Sequence, residues 1–358
     1  MNNSLNIPRL FTEMRRAQKK RHRDIALELG ISEAELIAAH SGVMTDDDAI
    51  SLRAVRLQAR WPDLIKAVET LGKVMALTRN EACVHEKKGV YHHSSVNGQT
   101  GLVLAGDIDL RIFYQHWSSG FAVQEELADG TQRSLQFFDR SGVAIHKIFL
   151  QPESNLQAFD ALIMAFADDH AAPLQIQAAE PRAEATLPDN FDNAAFSDAW
   201  RSLRDTHDFF SMLRQFKISR TLALREAGVD YAEQLDTAAA SDVLLAAAQE
   251  QVPIMVFTGN AGMIQIHSGP VSKVLPTGPW INVLDASFNL HLRTDLIAEA
   301  WIVRKPTTDG LVCSLELFDA HGELICMLFG ERKPGQAERC EWRGLLDQMR
   351  TEHLLCKA

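Results

Sequence analysis

The side chain in this sequence best placed to do chemistry is His207, in the run AWRSLRDTHDFFSMLRQF. On a helix, His207, Phe210, Ser211 and Arg214 fall on one face, at spacings of three, four and seven. An imidazole flanked by aromatic residues suits a haem iron: a neutral ring nitrogen donates to iron, and aromatic faces pack on porphyrin. The same residues fit a surface or helix-capping histidine beside Asp205. From the residues alone, that second reading has the stronger claim.

Three other groups invite a chemical reading. His85, His92 and His93 cluster in VHEKKGVYHHSS. No carboxylate or cysteine stands at ligand spacing, and His92 and His93 point to opposite sides of a strand, so a solvated hairpin loop is expected rather than a metal site. The segment Arg23–Gly42 has the outline of a helix-turn-helix, with Ala26, Gly30 and Ser32 suitably spaced and the basic run RRAQKKRHR before it. DNA is a possible partner on that basis. A similar outline recurs in ISRTLALREAGVDYAEQL, which favours a packed helical hairpin over DNA binding. Cys83, Cys313, Cys326, Cys340 and Cys356 are odd in number and lack CxxC spacing. They read as reduced thiols of a cytoplasmic protein. There is no Gly-rich phosphate loop, nucleophile elbow or HExxH motif.

The elements that must position these residues come in two copies. VMALTRN from Val74 matches IMVFTGN from Ile254, and SLQFFDRSGVAI from Ser134 matches SLELFDAHGELI from Ser314, at one gapless offset of 180 residues. Identical pairs include Thr78/Thr258, Asn80/Asn260, Ser134/Ser314, Asp139/Asp319 and Gly142/Gly322. This is an internal duplication. Some equivalent positions are swapped: Arg111/His291, Phe113/Arg293, Leu77/Phe257 and Glu125/Lys305. Aligned by eye, Leu10 or a neighbour stands opposite His207, so the histidine belongs to one copy only. Residues 1–168 form one repeat, 169–195 a linker rich in Ala, Pro and acidic residues, and 196–358 the second repeat. In the second repeat, helix is expected from Ser197 to about Gln249, broken near Gly228. Strands follow, and Asp319–Glu323 turns a hairpin. The fold class is α+β: two antiparallel β-sheet halves with helical hairpins, the helices covering one face.

The 358 residues carry a net charge of -11, which argues against general binding to nucleic acid or anionic membrane. No stretch has the length or apolarity of a signal peptide or membrane span, so a cytoplasmic location is expected.

Several segments together identify a likeness: ALTRNEACVHEKKG, GDIDLRIFYQHWSSGFAV, DTHDFFSMLRQFKISRTLALREAG, VPIMVFTGNAGMIQIHSG and LELFDAHGELICMLFGERKPG. Through nearly its whole length the chain resembles the HemS/ChuS/PhuS-type family of haemin-degrading factors and cytoplasmic haem-trafficking proteins. The resemblance implies a tandem duplication with haem in a cleft between the halves. It makes His207 the proximal ligand, within D-x-H-x-F-F, and puts Arg111 at the other face of the iron. Phe113 and Phe257 would lie beside the porphyrin. Arg220, Lys305 and Arg332 would lie near the propionates or pocket mouth. Met327 and Phe329 stand where the family often has Gln and Tyr. They remove two polar groups from the far side, and Met327 becomes either a second axial ligand or, more simply, a packing residue. The implied functions are holding haem and delivering it to a haem oxygenase, or opening the porphyrin ring with electrons from an external reductase. Binding requires fewer assumptions than catalysis.

Overall fold

Residues that alternate along Val312–Phe318 bury opposite sides of a strand, and the same alternation runs through both halves. The computed structural model describes residues 6–18, 20–42, 51–104, 106–178, 186–333 and 335–355. The first elements are α1 (Ile7–Gln18), α2 (His22–Glu28), α3 (Glu33–Ala38), β1 (Leu52–Arg56), α4 (Trp61–Val68), β2 (Val74–Arg79), β3 (Cys83–Gly89), β4 (Ser95–Asn97), β5 (Thr100–Val103), β6 (Asp109–Phe113), β7 (Ser119–Leu127), β8 (Gly130–Phe138), β9 (Ala144–Leu150) and α5 (Leu156–Phe166). There follow α6 (Asn193–Arg201), α7 (Asp208–Phe216), α8 (Arg220–Glu226), β10 (Ala232–Leu235), α9 (Ala239–Gln249), β11 (Ile254–Asn260), β12 (Met263–Gly269), β13 (Val274–Thr277), β14 (Trp280–Leu284), β15 (Phe288–Arg293), β16 (Glu299–Thr307), β17 (Gly310–Phe318), β18 (Leu324–Gly330) and α10 (Cys340–His353). The offset read from the sequence recurs in the elements: β8 starts at Gly130 and β17 at Gly310.

Two nine-stranded antiparallel sheets result, confirming the α+β class. One has the order β1-β7-β8-β9-β2-β3-β15-β14-β13, the other β10-β16-β17-β18-β11-β12-β6-β5-β4. Contacts divide the chain into two units. One comprises Met1–Arg79, Glu86–Glu180 and Gly259–Gln265; the other comprises Asn80–His85, Pro181–Thr258 and Ile266–Ala358. The asparagine pair shared by the two repeats ties each short segment into its unit. Asn260 donates from Nδ2 to the Ile145 carbonyl at 2.8 Å, and Asn80 donates to the equivalent Ile325 carbonyl at 2.7 Å.

Helices pack on both faces of the sheets, rather than on the one face expected. In the second unit Ala300, Ile302, Leu315, Leu317 and Leu328 meet α9 and α10. Trp301, Val303 and Phe318 meet α6, α7 and α8 on the other side. Both phases of β16 are apolar, so both faces need cover. The helical stretch expected from Ser197 to Gln249 is also interrupted. Ala232–Leu235 forms β10 because it pairs with Ala300–Val303 along the edge of the sheet. Tertiary pairing overrides local helix preference there.

The helix-turn-helix outline is architectural. Ser32 caps α3 with a full capping box, and Gly30 takes a φ of 68° at the turn. Leu36 and Ile37 are fully buried in a core with Phe121 and Phe138, worth roughly 1.5–3 kcal/mol each. α3 carries no basic residue to present to a phosphate backbone. Two residues of the preceding basic run are tied to Glu125. Arg15 Nε donates to Glu125 at 2.7 Å, and His22 Nε2 lies 2.9 Å from the same carboxylate. Among the described cysteines, Cys83, Cys313, Cys326 and Cys340 are free thiols, while Cys356 lies outside the described residues. No helix among the described residues is long and apolar enough to cross a membrane.

Candidate functional site

Register across the second sheet assembles the site. Phe257 stands opposite Met327, Met255 opposite Phe329, Glu316 opposite Met327, and Trp301 opposite Glu316. Directly opposed residues share a face, so Phe257, Met327, Phe329 and Glu316 form one continuous patch. Lys305 joins it two positions beyond Val303 on β16. The Phe257 and Phe329 rings pack edge-to-face with centroids 5.1 Å apart, and both are half-buried.

At one end of this face sits a charged cluster. Arg220, the first residue of α8, forms a fork with Glu316: Nε to Oε2 at 2.6 Å and Nη2 to Oε1 at 2.7 Å. Its Nη2 also approaches the Met327 sulfur at 3.2 Å. Lys305 Nζ donates to Glu316 Oε1 at 2.7 Å, and the Ser314 hydroxyl adds a third bond at 3.0 Å. Glu316 and Lys305 are buried, whereas the Arg220 side chain is 22% exposed. Burial raises the Glu316 carboxyl, but the charges of Arg220 and Lys305 hold it far below the usual range. Burial dominates at Lys305 and brings its ammonium down to about 8, since it has one carboxylate where Glu316 has two cations. Two cations against one carboxylate leave a net positive charge at this end.

Phe209, two residues after His207 in the chain, packs against the cluster. The buried Phe209 ring carries Lys305 Nζ at 4.5 Å and the Arg220 guanidinium carbon at 5.0 Å from its centroid. Two residues earlier, at the N-cap of α7, the His207 side chain is 88% exposed. Its Nδ1 lies 2.5 Å from Asp205 Oδ1, which leaves Nε2 as the nitrogen without a protein partner at that contact. Hydrogen bonds from the His207 amide and then its ring hold Asp205 below the usual carboxylate range, with a smaller effect from Arg332. Phe210 is exposed, with Arg214 over its ring at 5.1 Å, as the helical spacing suggested. Arg332 pairs with Asp309 at 3.5 Å.

The second unit therefore brings together Arg220, Lys305, Phe257, Met327 and Phe329, with His207 two residues from the shared Phe209. Arg111 and Phe113 belong to the other unit. They lie on the half-buried face of β6, where Arg111 pairs with Asp109. Sequence reasoning missed Glu316 and Phe209. The alternation in VCSLELFD already set Glu316 opposite in phase to Leu315 and Leu317. A charge among buried neighbours was the available signal.

The histidine cluster differs from the expectation of a solvated loop. His85 is fully buried in β3, its ring 4.9 Å from Phe288. Only His92 and His93 lie at the surface, and His92 pairs with Glu69 at 3.0 Å. The inward phase of β3 captures His85. No group of metal-ligating side chains occurs among the described residues.

The first unit holds a counterpart, again two cations on one buried carboxylate, with the charged positions exchanged. Glu33, at the first position of α3, corresponds to Arg220, and Lys147 to Met327. Arg79 donates to Glu33 at 2.6 Å, and Lys147 pairs with it too.

The haemin-degrading HemS.ChuX domain profile matches twice, at residues 30–166 and 217–349. The hemin transport protein HemS of Yersinia enterocolitica is 42% identical over 322 residues, 90% of each chain. Holo-PhuS, described as a heme-binding protein from Pseudomonas aeruginosa, is similar with a TM-score of 0.90 at 45% identity, covering 96% of this chain and 98% of that one. ChuS of Escherichia coli O157:H7, described as a heme degrading enzyme, has a TM-score of 0.87 at 35% identity, covering 97% and 99%.

Proposed function

The chain belongs to the family of the haemin-degrading HemS.ChuX domain, and from that premise we propose that it binds haem through His207 Nε2 in the bacterial cytoplasm. It holds haem taken up by the cell and delivers it to a haem oxygenase. One observation carries this reading: an exposed imidazole, oriented by a carboxylate, in the same unit as a half-buried aromatic face with net positive charge at its end.

The residues fit the group. A porphyrin is flat and apolar, suiting Phe257 and Phe329, and its two carboxylates suit the surplus charge of the Arg220–Lys305–Glu316 cluster. When bound, haem would supply a redox-active iron. His207 would hold the iron, and Arg220 and Arg332 would serve the carboxylates. By the family resemblance, Arg111 and Phe113 would also serve the haem. Binding without ring opening is favoured because Met327 and Phe329 are not hydroxyl or amide donors, and the Met327 sulfur is already approached by Arg220.

Hemin titration followed by absorption tests the reading. A saturable one-to-one complex with a shifted Soret band is expected, and non-saturating uptake would contradict it. Arg111→Ala is expected to change the ligand on the far face while keeping most of the affinity; complete loss of binding would contradict its assignment. Single turnover with a reductase and catalase present separates holding from degradation. Recovery of intact haem supports delivery, and a ring-opened product that survives catalase and is lost in His207→Ala supports an enzyme.

A further inference from the structure

The turn before α7 has more order than an exposed surface loop requires. Asp205 Oδ1 accepts two bonds from one residue, from the His207 amide at 2.8 Å and from the ring Nδ1 at 2.5 Å. Asp205 is itself held, because its amide donates to Asp208 Oδ2 at 3.1 Å. Three consecutive links thus fix the carboxylate to the helix start and the ring to the carboxylate. Arg204, next in the chain, is anchored by the Thr308 amide to its carbonyl at 2.9 Å. On the other side, Phe209 is locked in the core. The ring has little freedom to turn over, although it is 88% exposed.

Building on the reading that His207 holds haem, we infer that Asp205 is its positioning residue: it fixes the ring so that Nε2 points outward, and its negative charge strengthens Nε2 as a donor. A carboxylate oxygen only accepts hydrogen bonds, so Nδ1 must carry a proton, and Nε2 is the nitrogen left to offer a lone pair to a metal. An anionic acceptor on the far nitrogen gives the ring partial imidazolate character, which increases its basicity toward a metal. Both side chains are exposed without a ligand. A bound porphyrin would exclude water from the pair and strengthen the bond.

The alternative is that Asp205 merely shapes the turn, and Asp205→Asn separates the two. Its amide oxygen still accepts from the His207 amide and ring, so a turn-shaping role survives while the charge is lost. The probe is hemin, reduced to the ferrous form, with the iron–histidine stretch read by resonance Raman alongside a hemin titration. The expected result is a band at lower frequency than in the unsubstituted protein and about a tenfold or greater loss of affinity, at an unchanged unfolding midpoint. Asp205→Ala should shift the band at least as far. Wild-type frequency and affinity in both variants, with the band abolished in His207→Ala, would overturn the role of Asp205 and leave the ligand assignment standing. A band that persists in His207→Ala would overturn the ligand assignment and this inference with it.

Discussion

Replacing Glu316 with Gln isolates the charge balance beneath the proposed site. The side chain keeps its size and can still bond Ser314, but Lys305 loses its carboxylate at 2.7 Å. Arg220 is 22% exposed and can turn toward water. Lys305 is 2% exposed and cannot. Breaking a buried pair by removing one partner costs about 3–5 kcal/mol. Since Lys305 can shed its proton, its ammonium already lowered to about 8, the lower end, about 3 kcal/mol, is expected at pH 7. Urea unfolding followed by circular dichroism measures it as a fall in midpoint at constant slope. Restoring the original net charge with Lys305→Met alongside Glu316→Gln should recover most of the loss, giving a coupling energy well above 0.5 kcal/mol in the double-mutant cycle. A single-variant loss below about 1 kcal/mol, or strictly additive effects, would refute the claim that these charges form one unit.

Two further predictions concern the first unit. Burial raises the Glu33 carboxyl, but Lys147 and Arg79 bring it from 4.5 down to about 2. A carboxyl depressed on folding stabilises above its unfolded value, and the gain is lost as pH falls from 4.5 toward 2. The stability gap between wild type and Glu33→Gln should therefore shrink by on the order of 3 kcal/mol over that window, and a gap independent of pH would contradict the pairing. Gly142→Ala should cost roughly 1–3 kcal/mol, because φ is 79° and a Cβ would stand 2.3 Å from the Ser32 hydroxyl that caps α3. Gly322→Ala, with its nearest atom at 3.0 Å, should cost less; the reverse order in thermal unfolding would refute the steric argument.

The repeat was legible because its identical pairs do backbone work that tolerates little change. Asp139 and Asp319 each accept the amides two and four residues on, at 2.8–2.9 Å, closing the same turn. Asn80 and Asn260 each reach a neighbouring strand. The aromatic face was legible only through the family likeness, since Phe257 and Phe329 alternate no differently from core residues. β10 was hidden because its helix-like composition yields to an edge pairing more than sixty residues away. Lys305 stands where the first repeat has Glu125, and each closes a different buried network: Glu125 with Arg15 and His22, Lys305 with Glu316. Charge complementarity across such sequence distances is not written in local spacing.

The most direct test of the account is a hemin titration of His207→Gly with and without added imidazole. Loss of at least tenfold in affinity, about 1.4 kcal/mol, with the wild-type Soret band restored by imidazole, is the predicted result. Binding and spectrum unchanged by the substitution would show that iron is held elsewhere.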